Sequence, residues 1–518
     1  MSVNRSVVIA RFVVRLLVMA AVLASSTLWP ARSARAFCGF FVAGSDAKLT
    51  NNASQVVLMR KGNRTVMTMS NNYRGPLEDF AMVVPVPVVL QKENVRTLPA
   101  DGFDRVDSLS APRLVEYWEQ DPCEPPRRIM VPLSSNLSWQ DIVAVPKKAK
   151  ARDLGVKVEA QFVAGEYEVV VLSATDSAGL ETWLRQERYN IPQGAAAALA
   201  PYIRDRSKFF VAKVDISKVA RDAQGVVQLS PLRFHYDANE LRLPVRLGLL
   251  NASGPQDLIV YVIHPDSRFE VANYANTFIP THLEVADGVR QSFPSFFAEL
   301  FDATVERMGR RVVVTEYSWQ TTGCDPCPTP PLSLDDLATL GLDVLEGIGA
   351  APPAPALSIP GTTKPSVIAH ERQRAQLPPP RFRGKRPSWV LTRLHARYSK
   401  ETLSEDLIFR EAAPVIGGRA NGNGTNGDEG ARVDAGGVNN FQGRYIIRHY
   451  WDGPVTCQNP QYDNWGGPQG ERAGAQATAA KGLATAPRGK VVLSSEVRSP
   501  VPLLGIAGQP PPRRKKTK

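Results

Sequence analysis

The chain is poor in the residues from which most catalytic and metal sites are built, with five cysteines and six histidines in 518 residues. The histidines (His235, His264, His282, His370, His395 and His449) show no His-Glu-x-x-His or other metal spacing, so they read as structural side chains. No Gly-x-Ser-x-Gly elbow and no phosphate-binding loop is present, which removes the usual signatures of a serine hydrolase and a nucleotide hydrolase. Gly422-Asn423-Gly424-Thr425-Asn426-Gly427 meets the Gly-x-Gly-x-x-Gly pattern only through its composition. It neither follows a buried strand nor opens a helix, as a dinucleotide site requires. Acid pairs such as Glu78-Asp79 adjoin a turn and read as solvated. No catalytic residue, metal ligand or cofactor is expected from these patterns.

Acid is absent from residues 1–36, which carry five arginines around the uncharged run Leu16 to Trp29. That arrangement predicts a secretory signal peptide cleaved after Ala36, the run being too short for a comfortable membrane span. No later stretch reaches about 18 apolar residues, the length a spanning helix needs. The expected location is therefore periplasmic, outer-envelope or extracellular. The formal net charge of +12 invites a nucleic-acid reading, but the excess lies at the ends. Besides the signal, residues 468–518 hold ten basic against two acidic residues, which leaves the body near neutrality. Nucleic-acid binding needs basic residues gathered on a folded surface, and none is expected here. The cluster Arg513, Arg514, Lys515 and Lys516 predicts at most weak contact with an anionic surface.

What is present is a packed α+β protein. Phe80 to Val84 is apolar at every position, as in a strand covered on both faces, and Pro85 and Pro87 then remove two donors from one edge. Before it, Gln55 to Arg60 and Arg64 to Asn72 form a hairpin about Lys61-Gly62-Asn63, with Met67 and Met69 on one face. Residues 101–120 show apolar residues at helical spacing, with Pro112 opening a second piece. A two-faced ribbon opens at Val156, followed by a helix capped by Asp176 or Ser177 with a Leu180, Trp183 and Leu184 stripe, and by a second helix from Ala195 to Arg204. Strands are expected at Phe209 to Ile216, Val226 to Tyr236, Glu240 to Leu250, Asp257 to His264 and Arg311 to Trp319, with a helix near Phe296 to Met308. Runs of strands with interposed helices favour largely antiparallel sheets. The segments read as a signal (1–36), a β-meander with helices (37–150), an α+β body (151–348), a proline-rich exposed insert (349–387), strands completing the body (388–467) and a disordered basic tail (468–518). The final strand, Phe441 to Trp451, is expected to pair with Ser388 to Tyr398.

Several of these stretches resemble the bacterial domain of unknown function family 2330. They are Tyr73-Arg74-Gly75-Pro76 through Pro85-Val86-Pro87, Leu180 to Leu184, Tyr189-Asn190-Ile191-Pro192, Phe209 to Lys213, Leu243-Pro244-Val245-Arg246-Leu247 and Cys324-Asp325-Pro326-Cys327-Pro328. The resemblance implies an exported protein and transfers no catalytic residue. Export places Cys38, Cys123, Cys324, Cys327 and Cys457 in an oxidising compartment, where structural bridges are the default. Two bridges are expected: Cys38 with Cys123, and Cys457 with Cys324 or Cys327, because long-range bridges constrain the unfolded chain more than a Cys-x-x-Cys bridge does. A redox dithiol at Cys324 and Cys327 is the alternative, weakened because Pro328, Pro330 and Pro331 delay the next helix to about Ser333. Zinc would need two further ligands from Cys123, Cys457 or a histidine. Met59, Met67, Met69 and Met82, expected in one sheet, could offer thioethers to Cu(I) but read first as core fillers. The expectation is an exported, non-catalytic envelope protein with a binding or scaffolding role; the alternative is an exported hydrolase or thiol–disulfide oxidoreductase with a site assembled from scattered residues.

Overall fold

Alternation within the strands dictates the layers. In the computed structural model, Met67, Met69, Leu58 and Val56 turn to one side of their hairpin and Val57, Met59 and Val66 to the other, and both sides are buried. The hairpin, Ala53–Lys61 and Arg64–Ser70, turns at Gly62, whose φ of 58° suits glycine. The structure describes residues 40–43, 53–70, 80–99, 101–124, 155–187, 189, 191, 194–221, 227–250, 254–346, 389–418, 433–468, 476–480 and 486–510, all within one compact unit, Arg35–Lys518. The signal segment with Ala36, Cys38, His370, the Gly422–Gly427 string, Arg513 to Lys516 and the proline-rich 349–387 lie outside the described residues.

The larger sheet centres on Gln256–His264, paired antiparallel with Val390–Tyr398 and parallel with Ala53–Lys61. Val312–Gln320 flanks Val390–Tyr398 on the other side, and Leu232–Asp237 continues the hairpin side. A five-stranded antiparallel sheet runs in the order Phe40–Ala43, Phe80–Val86, Lys208–Val214, Tyr167–Ala174, Val156–Ala164. The two sheets face each other across Met67, Met69, Phe234, Val260, Met82, Val84 and Phe210. Helices Ser177–Gln186 and Ala195–Arg204 cover the outer face of the five-stranded sheet, and Asp101–Ser110 and residues 334–345 cover that of the larger one. The fold is thus α+β with mostly antiparallel sheets. Phe80–Val86 is apolar on alternate positions both ways because Ala81 and Val83 meet the helices while Met82 and Val84 meet the facing sheet. Among the described residues its partner Phe40–Ala43 reaches Val83, and Pro85 and Val86 pair with Lys208–Val214. Asp176 caps its helix by accepting from the amides of Ala178 and Gly179 at 2.8 and 2.7 Å.

Four expectations need correction. The helix at residue 101 ends at Ser110, and Arg113–Glu119 is a strand, paired parallel with Arg444–His449. Its partner lies more than 300 residues away, so local spacing could not show it. Arg444–His449 accordingly pairs there, and not with Val390–Tyr398, whose neighbours are Gln256–His264 and Val312–Gln320. The stretch expected as a strand from Glu240 to Leu250 is a short strand, Leu241–Leu243, and a 3-10 turn, Arg246–Leu250, because Pro244 breaks the ladder. The tail is ordered over 476–480 and 486–510: Gln476–Ala479 pairs with Arg113–Glu119, and Val497 and Val501 bury against helix Val289–Arg307. Composition hid this, since the buried residues form a sparse stripe among Gly, Pro and basic residues.

Candidate functional site

The seam between the sheets opens at one end into a cleft of about 370 Å³. Its floor is Met67, Phe234 and Tyr236 from the larger sheet, and one wall is Pro85, Val86 and Pro87, where the inner strand leaves its sheet. The other wall is Pro244 with Tyr202, Asp205 and Ser207 at the end of helix Ala195–Arg204. Ala238, Glu240 and Arg242 form the rim. This volume falls in the range of ligand pockets, about 300–1,000 Å³.

Hydrogen bonds hold the walls. Asp406 accepts from the Tyr202 hydroxyl at 2.6 Å and from the amides of Val245 and Arg246 at 3.1 and 3.3 Å, which clamps the Leu243 to Leu247 stretch onto the helix. Burial raises the Asp406 and Tyr202 pKa values, and Tyr236 likewise, so the phenols here stay neutral. Arg60 donates to the carbonyls of Ala238 and Asn239 at 3.0 and 2.9 Å, fixing the rim. At the mouth Arg242 pairs with Asp205 at 3.1 Å and Glu240 at 2.8 Å, all three partly exposed. The cleft is backed by buried rings and apolar groups, with charge at its edge.

A second polar constellation is sealed. Val312–Gln320 carries a β-bulge between Thr315 and Tyr317, and the extra residue, Glu316, turns onto the face that holds Arg393 and His395. Glu316 accepts from Arg393 Nε at 2.6 Å and lies 2.6 Å from His395 Nδ1, while His395 Nε2 is 3.2 Å from Asp257. Arg393 also pairs with Asp107 at 2.5 Å, and Asp257 with Arg397 and the tail residue Arg488 at 3.1 and 2.8 Å. The Phe301 ring stacks on His395 at 3.7 Å. Burial works against the Glu316 carboxylate, yet His395 and Arg393 outweigh it and hold its pKa below the ordinary range. Burial also opposes the His395 imidazolium, and Glu316 with Asp257 overcomes that and raises its pKa. Glu316, Asp257, Arg393 and His395 are each under 5% exposed, so no substrate reaches them. The sequence signal was present: Arg393, His395 and Arg397 alternate along one strand, an unusual face for a strand buried on both sides.

The sulfurs are arranged differently from expectation. Cys123 bridges Cys457, and Cys324 bridges Cys327. The parallel pairing of Arg113–Glu119 with Arg444–His449 sends both chains out on the same side, which brings Cys123 to Cys457 and removes the latter from the reach of Cys324 and Cys327. The next helix begins at Leu334 with Ser333 as its cap, so its N-terminus lies six or more residues beyond the bridge. Among the described residues no group of three His, Cys, Asp or Glu could hold a metal ion. Met82 stands in the five-stranded sheet and Met59 on the far face of its hairpin, so the four methionines do not converge; Met67, Met69 and Met82 pack in the core between the sheets. His235 meets Asn94 at 3.1 Å and His449 stacks on Trp118 beside Glu116, which are structural settings. Among the described residues no helix is long and apolar enough to cross a membrane.

Residues 32–410 match the family described as an uncharacterized protein conserved in bacteria (DUF2330), and the chain belongs to that family. No curated protein and no solved structure matches it.

Proposed function

We propose that this DUF2330 protein is an exported, non-catalytic envelope protein that binds a partner through the cleft. One observation carries the reading: Pro85 to Pro87 and Pro244, from stretches distant in sequence, line the same cleft. A groove edged by the exposed Pro87 beside Pro85 and Pro244, over the buried Phe234 and Tyr236, suits an extended, proline-containing segment, which carries its backbone preformed. Asp205 and Glu240 at the rim favour a basic residue beside that segment. The arginines near residue 1, the apolar run and the small-residue end at Ala36 support export, and paired cysteines suit an oxidising compartment. The basic cluster Arg513 to Lys516 adds a weak attraction to an anionic envelope surface. A hydrolase reading has less support, because the strongly perturbed carboxylates and histidine are sealed in the core.

Isothermal titration with a short polyproline peptide ending in arginine tests the site. The expected result is saturable binding that falls at least about tenfold, or about 1.4 kcal/mol, in Ala238→Trp, which fills the rim. Equal heats for the peptide and its alanine-substituted control would remove the peptide class. Unchanged binding in Ala238→Trp would remove the cleft.

A further inference from the structure

The two disulfides of this chain have opposite characters. Cys123–Cys457 joins residues 334 apart and strongly constrains the unfolded chain, whereas Cys324–Cys327 joins residues 3 apart and constrains it little. The short bridge is also the accessible one: Cys327 is exposed, and Cys324 packs against the core beneath it. A structural bridge with little entropy to remove invites a second explanation.

That explanation lies under the loop. Arg113 is fully buried, donates from Nη1 to the carbonyl of Pro326 at 3.0 Å and from Nη2 to that of Leu109 at 2.8 Å, and its Nε has no partner. Among the described residues it forms no ion pair; its guanidinium lies 5.4 Å from the centre of the Tyr317 ring, and Tyr317 and the Asp325 carboxylate both favour its charge. Its neighbour across the parallel ladder is another buried cation, Arg444, whose Nε is also unpartnered. Burial pushes each guanidinium down to about 10. A buried charge with no carboxylate in direct contact is costly, and here one cation sits a single peptide unit from Cys327.

We propose that Cys324–Cys327 is a redox-exchangeable bridge and that Arg113 is the waiting counter-ion for the thiolate its reduction creates. A thiolate of a partner dithiol attacks the exposed Cys327 sulfur; the Cys324–Cys327 bond breaks and Cys324 leaves as thiolate. The partner's second thiolate then attacks its own sulfur in the mixed disulfide and expels Cys327. The partner dithiol is oxidised to a disulfide, the loop gains two electrons, and the two protons of the partner thiols end on the loop or in solvent. The same steps run backwards when the partner is the stronger oxidant. The helix that follows begins only at Leu334, and the stabilisation comes from a buried arginine on a strand distant in sequence. The inference does not depend on what the cleft binds.

The test equilibrates the full-length protein in glutathione buffers of stepped ratio and maps each cysteine pair by differential alkylation. The expected result is reversible reduction of Cys324–Cys327 in the folded protein while Cys123–Cys457 stays oxidised. Arg113→Met should make the loop about tenfold harder to reduce, about 30 mV for a two-electron couple, and Arg113→Lys should restore most of that. If Arg113→Met does not fold, the wild-type titration decides alone. Both bridges opening only when the protein unfolds would overturn the proposal, and equal potentials in wild type, Met and Lys variants would overturn the role of Arg113.

Discussion

Glu316→Ala is expected to cost about 3–5 kcal/mol of stability, enough to remove much of a typical domain's margin. The reason is not the loss of one good contact. Glu316 is completely buried and compensates Arg393 and His395 together, each through a 2.6 Å contact, so its removal leaves two buried cations with only Asp107 and Asp257 to share. Those partners are already engaged, Asp257 with Arg397 and Arg488. Urea unfolding of the variant checks this, and a loss under about 1 kcal/mol would show that water reaches the site. The same network predicts how stability follows pH. The Glu316 and Asp257 pKa values are lowered in the fold, so their contribution is present above the ordinary carboxylate pKa and is lost as pH falls through the folded values. The His395 pKa is raised, so its contribution is full below the ordinary imidazole pKa and is lost as pH rises through the folded value. Stability should therefore peak between the carboxylate and imidazole ranges, and the alkaline loss should vanish in His395→Gln.

Cys123→Ser is expected to lower stability by about 2–5 kcal/mol, whereas Cys324→Ser should lower it by less than about 2 kcal/mol. Cys123 and Cys457 staple the ends of two paired strands that belong to opposite parts of the chain. Around the staple, Gln461 donates its amide to the Pro122 carbonyl at 2.7 Å, and the Trp451 and Asp463 amides donate to Glu119 at 3.0 and 2.8 Å. Opening the bridge frees that whole segment. Denaturation midpoints of the two variants compare the bridges directly, and equal losses would contradict the division between a stapling and an exchangeable disulfide.

Much of the fold could be read from the sequence, and most of the misses share one cause. The inner strand Phe80–Val86, the hairpin at Gly62, the ribbon from Val156 and the capped helix at Ser177–Gln186 were legible because period and turn chemistry are local. Arg113–Glu119 looked helical, and Arg444–His449 was given the wrong partner, because their pairing joins residues more than 300 apart. The disulfides followed that error, since the strand pairing decides which cysteines meet. The ordered tail was missed because Val497 and Val501 gain their burial from helix Val289–Arg307 and not from their neighbours in sequence. The cleft was half legible: Pro85 and Pro87 stood out as a strand leaving its sheet, but nothing local placed Pro244 and Tyr202 across from them. Glu316 was hidden by its bulge, which turns it from the alternation of its own strand onto the face of His395.

Site-specific photo-crosslinking in the producing bacterium tests most directly the proposal that the protein meets its partner at the cleft. A benzophenone residue is placed at Ala238 on the cleft rim, or as a control at Val163, which is 49% exposed and outside the cleft lining. The account predicts one discrete adduct from position 238, recovered with the envelope fraction and competed by the arginine-ended polyproline peptide, and none from position 163. No adduct from position 238, or the same adducts from both positions, would contradict it.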